Sequence, residues 1–193
     1  MQQQELETIC PASTQEWRSW LEANHASKGS VWIIYYKKKA GKPTISWSEA
    51  VDQALCFGWI DSTARSIDDD TYMQFFCPRK LTSAWSKINK EKVKYLIAEG
   101  LMTAAGYASI ETAKQNGSWT ILDEVEELIV PEDLETAFGS QTGSKDFFLS
   151  LSKSVRKSML QWLVLAKRPE TRRKRVSEIA ELASQGLKPK QFR

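Results

Sequence analysis

Residues 59–79, WIDSTARSIDDDTYMQFFCPR, hold two runs rich in β-branched and aromatic residues on either side of the turn signal Asp68-Asp69-Asp70. Branched and aromatic side chains suit a pleated, half-buried surface, and clustered aspartates suit the turn between two such runs. The stretch therefore reads as an antiparallel hairpin. Pro78 closes its second strand because it has no N–H to give to a ladder. SVWIIYYKKK at 30–39 has the same composition, so a small antiparallel sheet of at least three strands is expected from residues 30–39, 59–67 and 71–79.

Helices surround these strands in the sequence. Ser13 with Glu16 makes a capping box, and Trp17, Trp20 and Leu21 follow at the i, i+3, i+4 spacing of a buried face. Ser46 with Glu49 repeats the box ahead of Ala50, Val51, Ala54 and Leu55, with Gly58 placed as a C-terminal cap. Past the hairpin, Ser86 and Thr103 can each cap a helix, the first running to Gly100 and the second to about Asn116–Gly117. Pro131 suits the first turn of a short helix ending before Gly139. From Ser144 onward the apolar residues recur with helical period in three stretches, Pro169 opening the last and Gly186 ending it. The fold class expected is α+β, a small sheet covered by helices and followed by an all-helical C-terminal region. The domains expected are 1–138 and 144–193, on either side of the linker-like GSQTGS at 139–144.

At 193 residues, 41% hydrophobic and 26% charged, the composition is that of a globular chain, neither fibrous nor disordered. The N-terminal MQQQELETICPAST has no basic n-region or apolar h-region, and no later segment has eighteen unbroken apolar residues, so a cytoplasmic location is expected. Cys10, Cys56 and Cys77 have no CxxC spacing, which suggests neither a disulfide framework nor a zinc site. The net charge of +3 hides an acidic block at 108–140 and a basic block at 153–175. The two can pair within the chain, or the basic block can face an anionic surface.

Little of the usual chemistry can be assembled. The one histidine, His25, sits at the exit of the first helix, where a capping role suits it better than general-base work. No nucleophile has an imidazole to activate it, and Asp68, Asp69 and Asp70 read as a solvated turn and not a metal site. No glycine-rich phosphate loop is present, and no cofactor is expected. Two features remain. Strict alternation from Trp59 puts Trp59, Asp61, Thr63 and Arg65 on one strand face, too polar for a core, with Arg79, Ser83, Trp85, Ser86 and Asn89 as the rim of a cleft for a small anion. The competing reading makes the same residues an internal polar network. The second feature is Arg168, Arg172, Arg173 and Arg175 on a basic helix, where the absence of interleaved aromatics disfavours nucleic acid.

ALCFGWIDS at 54–62, PRKLTSAWSKIN at 78–89, KVKYLIAEGLMTAAG at 92–106 and WLVLAKRPETRRKRV at 162–176 carry a resemblance. From about Trp17 to Gly186 the chain resembles the bacteriocin-protection, YdeI/OmpD-associated family. The resemblance implies links to bacteriocin and antimicrobial-peptide protection and to an outer-membrane porin, with no catalytic residues to carry over. The function expected is a non-catalytic binding or stress-protection protein with a small anionic ligand or a protein partner. The alternatives are an enzyme using Asp61 and an arginine, and a nucleic-acid or membrane-surface binder using the basic helices.

Overall fold

The structure, a computed structural model, describes residues 7–193. The first six residues, on which part of the leader-segment reading rests, lie outside the described residues. Two compact units divide the chain: one ends at Trp119, and the other is Thr120–Arg193.

The first unit is built on strands β1 (Thr8–Ile9), β2 (Val31–Tyr36), β3 (Trp59–Ser66) and β4 (Thr71–Pro78), in the spatial order β1-β2-β4-β3. The three expected strands pair antiparallel, β4 lying between β2 and β3. The sheet is nevertheless mixed, since β1 runs parallel to β2 with Thr8 opposite Trp32 and Ile9 opposite Ile33. Parallel neighbours need a crossover, and helix α1 (Thr14–Asn24) supplies it. A strand of two residues is too short to show a period in sequence.

Helices α1 and α2 (Trp47–Cys56) lie on the inner sheet face, formed by Val31, Ile33, Tyr35 and Phe76. Trp17 and Leu21 of α1 are fully buried, each worth roughly 1.5–3 kcal/mol of transfer free energy. The Trp17 indole N–H donates to the Ala50 carbonyl at 3.0 Å, and its ring meets the edge of Phe76 at 5.5 Å. All four expected caps form: the hydroxyls of Ser13, Ser46, Ser86 and Thr103 accept from the N–H three residues on. Ser86 and Thr103 open α3 (Lys87–Ala98) and α4 (Ala104–Gln115).

Helix α4 is drawn close to the end of α2. The Thr103 N–H and hydroxyl both donate to the Cys56 carbonyl, at 3.1 and 2.7 Å. Gly106 permits the approach, because a Cβ there would stand 2.3 Å from the Cys56 carbonyl oxygen.

The second unit is helical: α5 (Asp123–Glu126), α6 (Glu132–Gly139), α7 (Ser144–Ser150), α8 (Lys153–Val164) and α9 (Pro169–Ser184). Both α6 and α7 pack on α9 around Leu134, Phe138, Phe148, Leu163 and Ile179. The division between the units thus precedes α5 and α6 and lies ahead of the GSQTGS stretch, because the buried faces of these helices meet α8 and α9. Among the described residues no helix is long and apolar enough to cross a membrane.

Candidate ligand pocket around Arg79

Arg79 leaves β4 just after Pro78, and its backbone N–H donates to the Gly58 carbonyl at 2.9 Å. The side chain then turns inward. Its guanidinium carbon lies 3.8 Å from the centroid of the Trp85 ring, and Nη2 donates to the Ala84 carbonyl at 2.5 Å. Nε and Nη1 are buried without any hydrogen-bond partner. A buried donor left unpaired costs on the order of 1–3 kcal/mol, more when it is charged. Burial draws the Arg79 pKa down to about 10, while the Asp61 charge acts in the opposite direction. The group stays cationic at neutral pH, and its charge is poorly compensated.

Trp85 is itself held firmly. Its backbone N–H donates to the Ser118 carbonyl at 3.2 Å, and its ring meets that of Trp119 at 5.0 Å. The Asn116 side-chain amide fixes the preceding loop by donating to the Leu81 carbonyl at 2.8 Å.

Beside Arg79 opens a pocket of about 350 Å3 lined by His25, Phe57, Gly58, Trp59 and Leu81, with Ala105, Ala108 and Ser109 of α4 opposite. Gly58 has φ +71°, and a Cβ on it would meet the Ala105 carbonyl oxygen at 3.0 Å. The small residues of α4 leave the volume open. Trp59 is buried, its indole N–H donating to the His25 carbonyl at 3.2 Å and its ring edge-on to Trp20 at 5.7 Å.

His25 caps α1, as expected, and its Nδ1 lies 2.8 Å from the Leu21 carbonyl. A carbonyl only accepts, so Nδ1 carries the hydrogen and Nε2 is the acceptor of the neutral ring. His25 also lines the pocket, which the sequence reading missed. Most of its neighbours there come from the Phe57–Gly58 turn, β3, the end of β4 and α4, far away in the chain.

The other candidates separate. Asp61 Oδ2 accepts from Trp47 Nε1 at 2.8 Å and from Gln74 Nε2 at 3.0 Å, so this oxygen is committed to its neighbours. Arg65 lies on the opposite sheet face from Trp59 and Asp61, contrary to the strict alternation. Between Asp61, opposite Phe76, and Ala64, opposite Gln74, β3 spends three steps against two on β4. This bulge inverts the facing of every later residue. Arg65 therefore stands over Trp32 at 4.8 Å, on the face away from Phe76. Ser83 forms a turn with Lys80, and the Ser86 hydroxyl accepts from the Asn89 N–H; none of Ser83, Ser86 and Asn89 lines the pocket.

The basic residues of the second unit are partly occupied at home. Arg172 grips Asp133 with Nε and Nη2 at 2.6 and 3.0 Å, which pulls the Asp133 carboxyl below its usual range. Lys157 pairs with Glu126 and Lys145 with Glu135. Arg175 lies over the Trp162 ring at 4.7 Å, whereas Arg168 and Arg173 are exposed. The Asp68 turn satisfies itself, its Oδ1 accepting from the N–H groups of Asp70 and Thr71. Among the described residues no three His, Cys, Asp or Glu side chains are grouped to hold a metal ion.

Residues 9–109, more than half of the chain, match the family model described as Domain of unknown function (DUF8412). The chain belongs to the DUF8412 family. The DUF8412 span contains strands β2, β3 and β4, Arg79 and most of the pocket lining. Residues 127–186, covering α6 to α9, match the model described as Bacteriocin-protection, YdeI or OmpD-Associated, the family anticipated from sequence. The motifs at 54–62, 78–89 and 92–106 fall within the DUF8412 span, and the motif at 162–176 within the second. No curated protein and no solved structure matches the chain.

Proposed function

We propose that the protein is a non-catalytic binding protein of the cytoplasm, acting in stress or antimicrobial-peptide protection, that takes a small anion in the Arg79 pocket. One observation carries the reading: a buried guanidinium, stacked on Trp85 and with two donors unpaired, beside an open cavity of about 350 Å3. An anion there offsets the cost of the buried charge, and Phe57 and Trp59 supply apolar walls. The bacteriocin-protection match in the second unit supports the wider role, and three free cysteines suit a reducing compartment.

The enzymatic alternative has less support. Asp61, its general base, has one oxygen accepting two N–H groups and does not line the pocket. The surface-binding alternative is weakened by the Arg172–Asp133 pair and by the stacking of Arg175 on Trp162. A protein partner remains part of the proposal through the family's protective role, and nucleic acid does not.

The test is a thermal-shift screen of the full chain against inorganic phosphate, citrate and a library of anionic metabolites, with turnover assays on every hit. A ligand at about one hundred times its Kd adds about 2.7 kcal/mol. At least one anion is expected to stabilise the protein, to be left chemically unchanged, and to lose its effect in Arg79→Gln. Failure of every anion to stabilise the wild type, together with a strong loss of Tm in Arg79→Gln, would identify an internal network and overturn the reading.

A further inference from the structure

The Arg79 pocket has two walls of different make. Phe57 and Trp59, on either side of Gly58, supply aromatic rings, and α4 supplies Ala105, Ala108, Ser109 and Thr112. Positions 105, 108, 109 and 112 recur at i, i+3, i+4 and i+7, so these small side chains form one stripe along the helix. The walls converge at Gly58, where a Cβ would meet the Ala105 carbonyl oxygen at 3.0 Å and the Ser109 Cβ at 3.3 Å. Between rings and stripe lies a slot suited to a flat body.

The polar groups of the slot are few and of opposite kinds. Arg79 offers two charged donors, Nε and Nη1, that nothing accepts from. Asp61, the carboxylate whose charge acts on Arg79, makes no ion pair with it and gives Oδ2 to Trp47 and Gln74. His25 offers an acceptor. With Nδ1 held by the Leu21 carbonyl at 2.8 Å, the neutral ring keeps its lone pair on Nε2, and nothing among the described residues donates to it. The His25 ring also packs on Phe57, with centroids 5.1 Å apart, which fixes its direction. The hydroxyls of Ser109 and Thr112 add adaptable partners one turn apart on α4. A bare anion such as phosphate uses the donors and leaves the His25 acceptor and the aromatic wall idle.

Resting on the anion reading of this pocket, we infer that it selects a flat aromatic carboxylate with a hydroxyl on its ring, the carboxylate toward Arg79 and the hydroxyl toward His25. The ring lies in the slot against Phe57 and Trp59, where aromatic contact adds to simple burial. The hydroxyl donates to Nε2, and an acceptor placed for a donor discriminates against an analogue that lacks one. Leu81 lines the same pocket and is 70% exposed. Exposed side chains change rotamer in picoseconds to nanoseconds, so Leu81 gives way as the carboxylate reaches Nη1. A single substituted ring is small enough for a cavity of about 350 Å3.

The probes are 3- and 4-hydroxybenzoate, titrated calorimetrically into the full chain beside benzoate, 4-hydroxybenzyl alcohol and cyclohexanecarboxylate. The tighter hydroxybenzoate is expected to bind at least about tenfold more tightly than the alcohol, which lacks the charge, and at least about threefold more tightly than benzoate, which lacks the hydroxyl. Benzoate is expected to bind more tightly than cyclohexanecarboxylate, which is not flat. His25→Phe keeps a ring against Phe57 and removes the acceptor, and is expected to bring the hydroxybenzoate down to the affinity of benzoate while benzoate changes by less than about twofold. Ala108→Leu, at an exposed position of α4, fills the slot and is expected to weaken both ligands at least about tenfold with a circular dichroism melting curve close to that of the wild type. It carries the test should His25→Phe fail to fold. No measurable binding of either hydroxybenzoate, equal binding of the alcohol, equal binding of benzoate and cyclohexanecarboxylate, or unchanged preferences and affinities in the folded variants overturns the inference. Where the hydroxybenzoates fail but phosphate or citrate still stabilises the wild type and not Arg79→Gln, the ligand class alone is overturned; where no anion binds, the anion reading falls with it.

Discussion

The guanidinium carbon of Arg79 lies over the Trp85 ring, 3.8 Å from its centroid, while the Arg79 Nε and Nη1 have no partner. Stacking accounts for the position of the side chain, and the unpaired donors make the position costly. Arg79→Met keeps an unbranched stem over Trp85 and removes both the charge and the orphaned donors. Apolar replacement of a poorly compensated buried charge is neutral or stabilising, so the variant is expected to gain up to about 1 kcal/mol in urea unfolding and to lose all stabilisation by anions. A loss above about 2 kcal/mol would show that the charge itself holds the fold.

Arg65 separates the two readings of the hairpin. The bulge after Asp61 places it over Trp32, away from the pocket. Arg65→Ala is expected to cost about 0.5–1 kcal/mol through the lost cation–π contact and to leave anion-induced shifts in Tm intact. If the variant abolishes those shifts as completely as Arg79→Gln does, the two arginines act at one site and the bulged register is wrong.

Gly58 and Gly106 hold the pocket wall at its distance. Gly58→Ala meets an unfavourable φ of +71° and a carbonyl oxygen at 3.0 Å, and is expected to cost about 1–3 kcal/mol. Gly106→Ala is expected to cost at least as much, because a backbone oxygen 2.3 Å away cannot rotate aside and α4 must shift. Both variants should lower Tm, and Gly106→Ala should also weaken anion binding by moving Ala105 and Ser109. Tm values equal to the wild type in both would mean that α4 does not lie against Cys56.

Asp133 gives the pH dependence of the second unit. The hydrogen bond from Arg172 holds its carboxyl below the usual range, so the folded state binds its proton less readily than the unfolded state does. The stabilisation is therefore fully present above the unfolded pKa of about 4 and is lost as pH falls through the lower folded value. The pair is partly exposed, and Asp133→Asn is expected to cost only about 0.5–1 kcal/mol at pH 7, with the difference from the wild type vanishing in strong acid. A difference that grows on acidification would give the shift the opposite sign.

The local parts of this fold were readable in the chain because their causes are local. Ser13, Ser46, Ser86 and Thr103 each cap a helix through the N–H three residues on. The Asp68 turn closes on Asp70 and Thr71, and the hairpin on either side of it pairs neighbouring runs. Apolar period alone marked the helical C-terminal region. The parallel strand Thr8–Ile9 escaped notice because two residues carry no period and their partner lies beyond a helix.

Sequence by itself determined the capped helices, the three antiparallel strands and the α+β class, since each depends on residue type and short spacing. Tertiary structure alone decided the site. One extra residue in β3 sent Arg65 to the far face, a result invisible to strict alternation. The approach of α4 brought Ala105 and Ser109 opposite His25, Trp59 and Arg79, which joins positions up to 84 residues apart. Arg172 found Asp133 across 39 residues. Such meetings depend on how buried faces pack, and packing is a property of the whole core rather than of any one stretch of the chain.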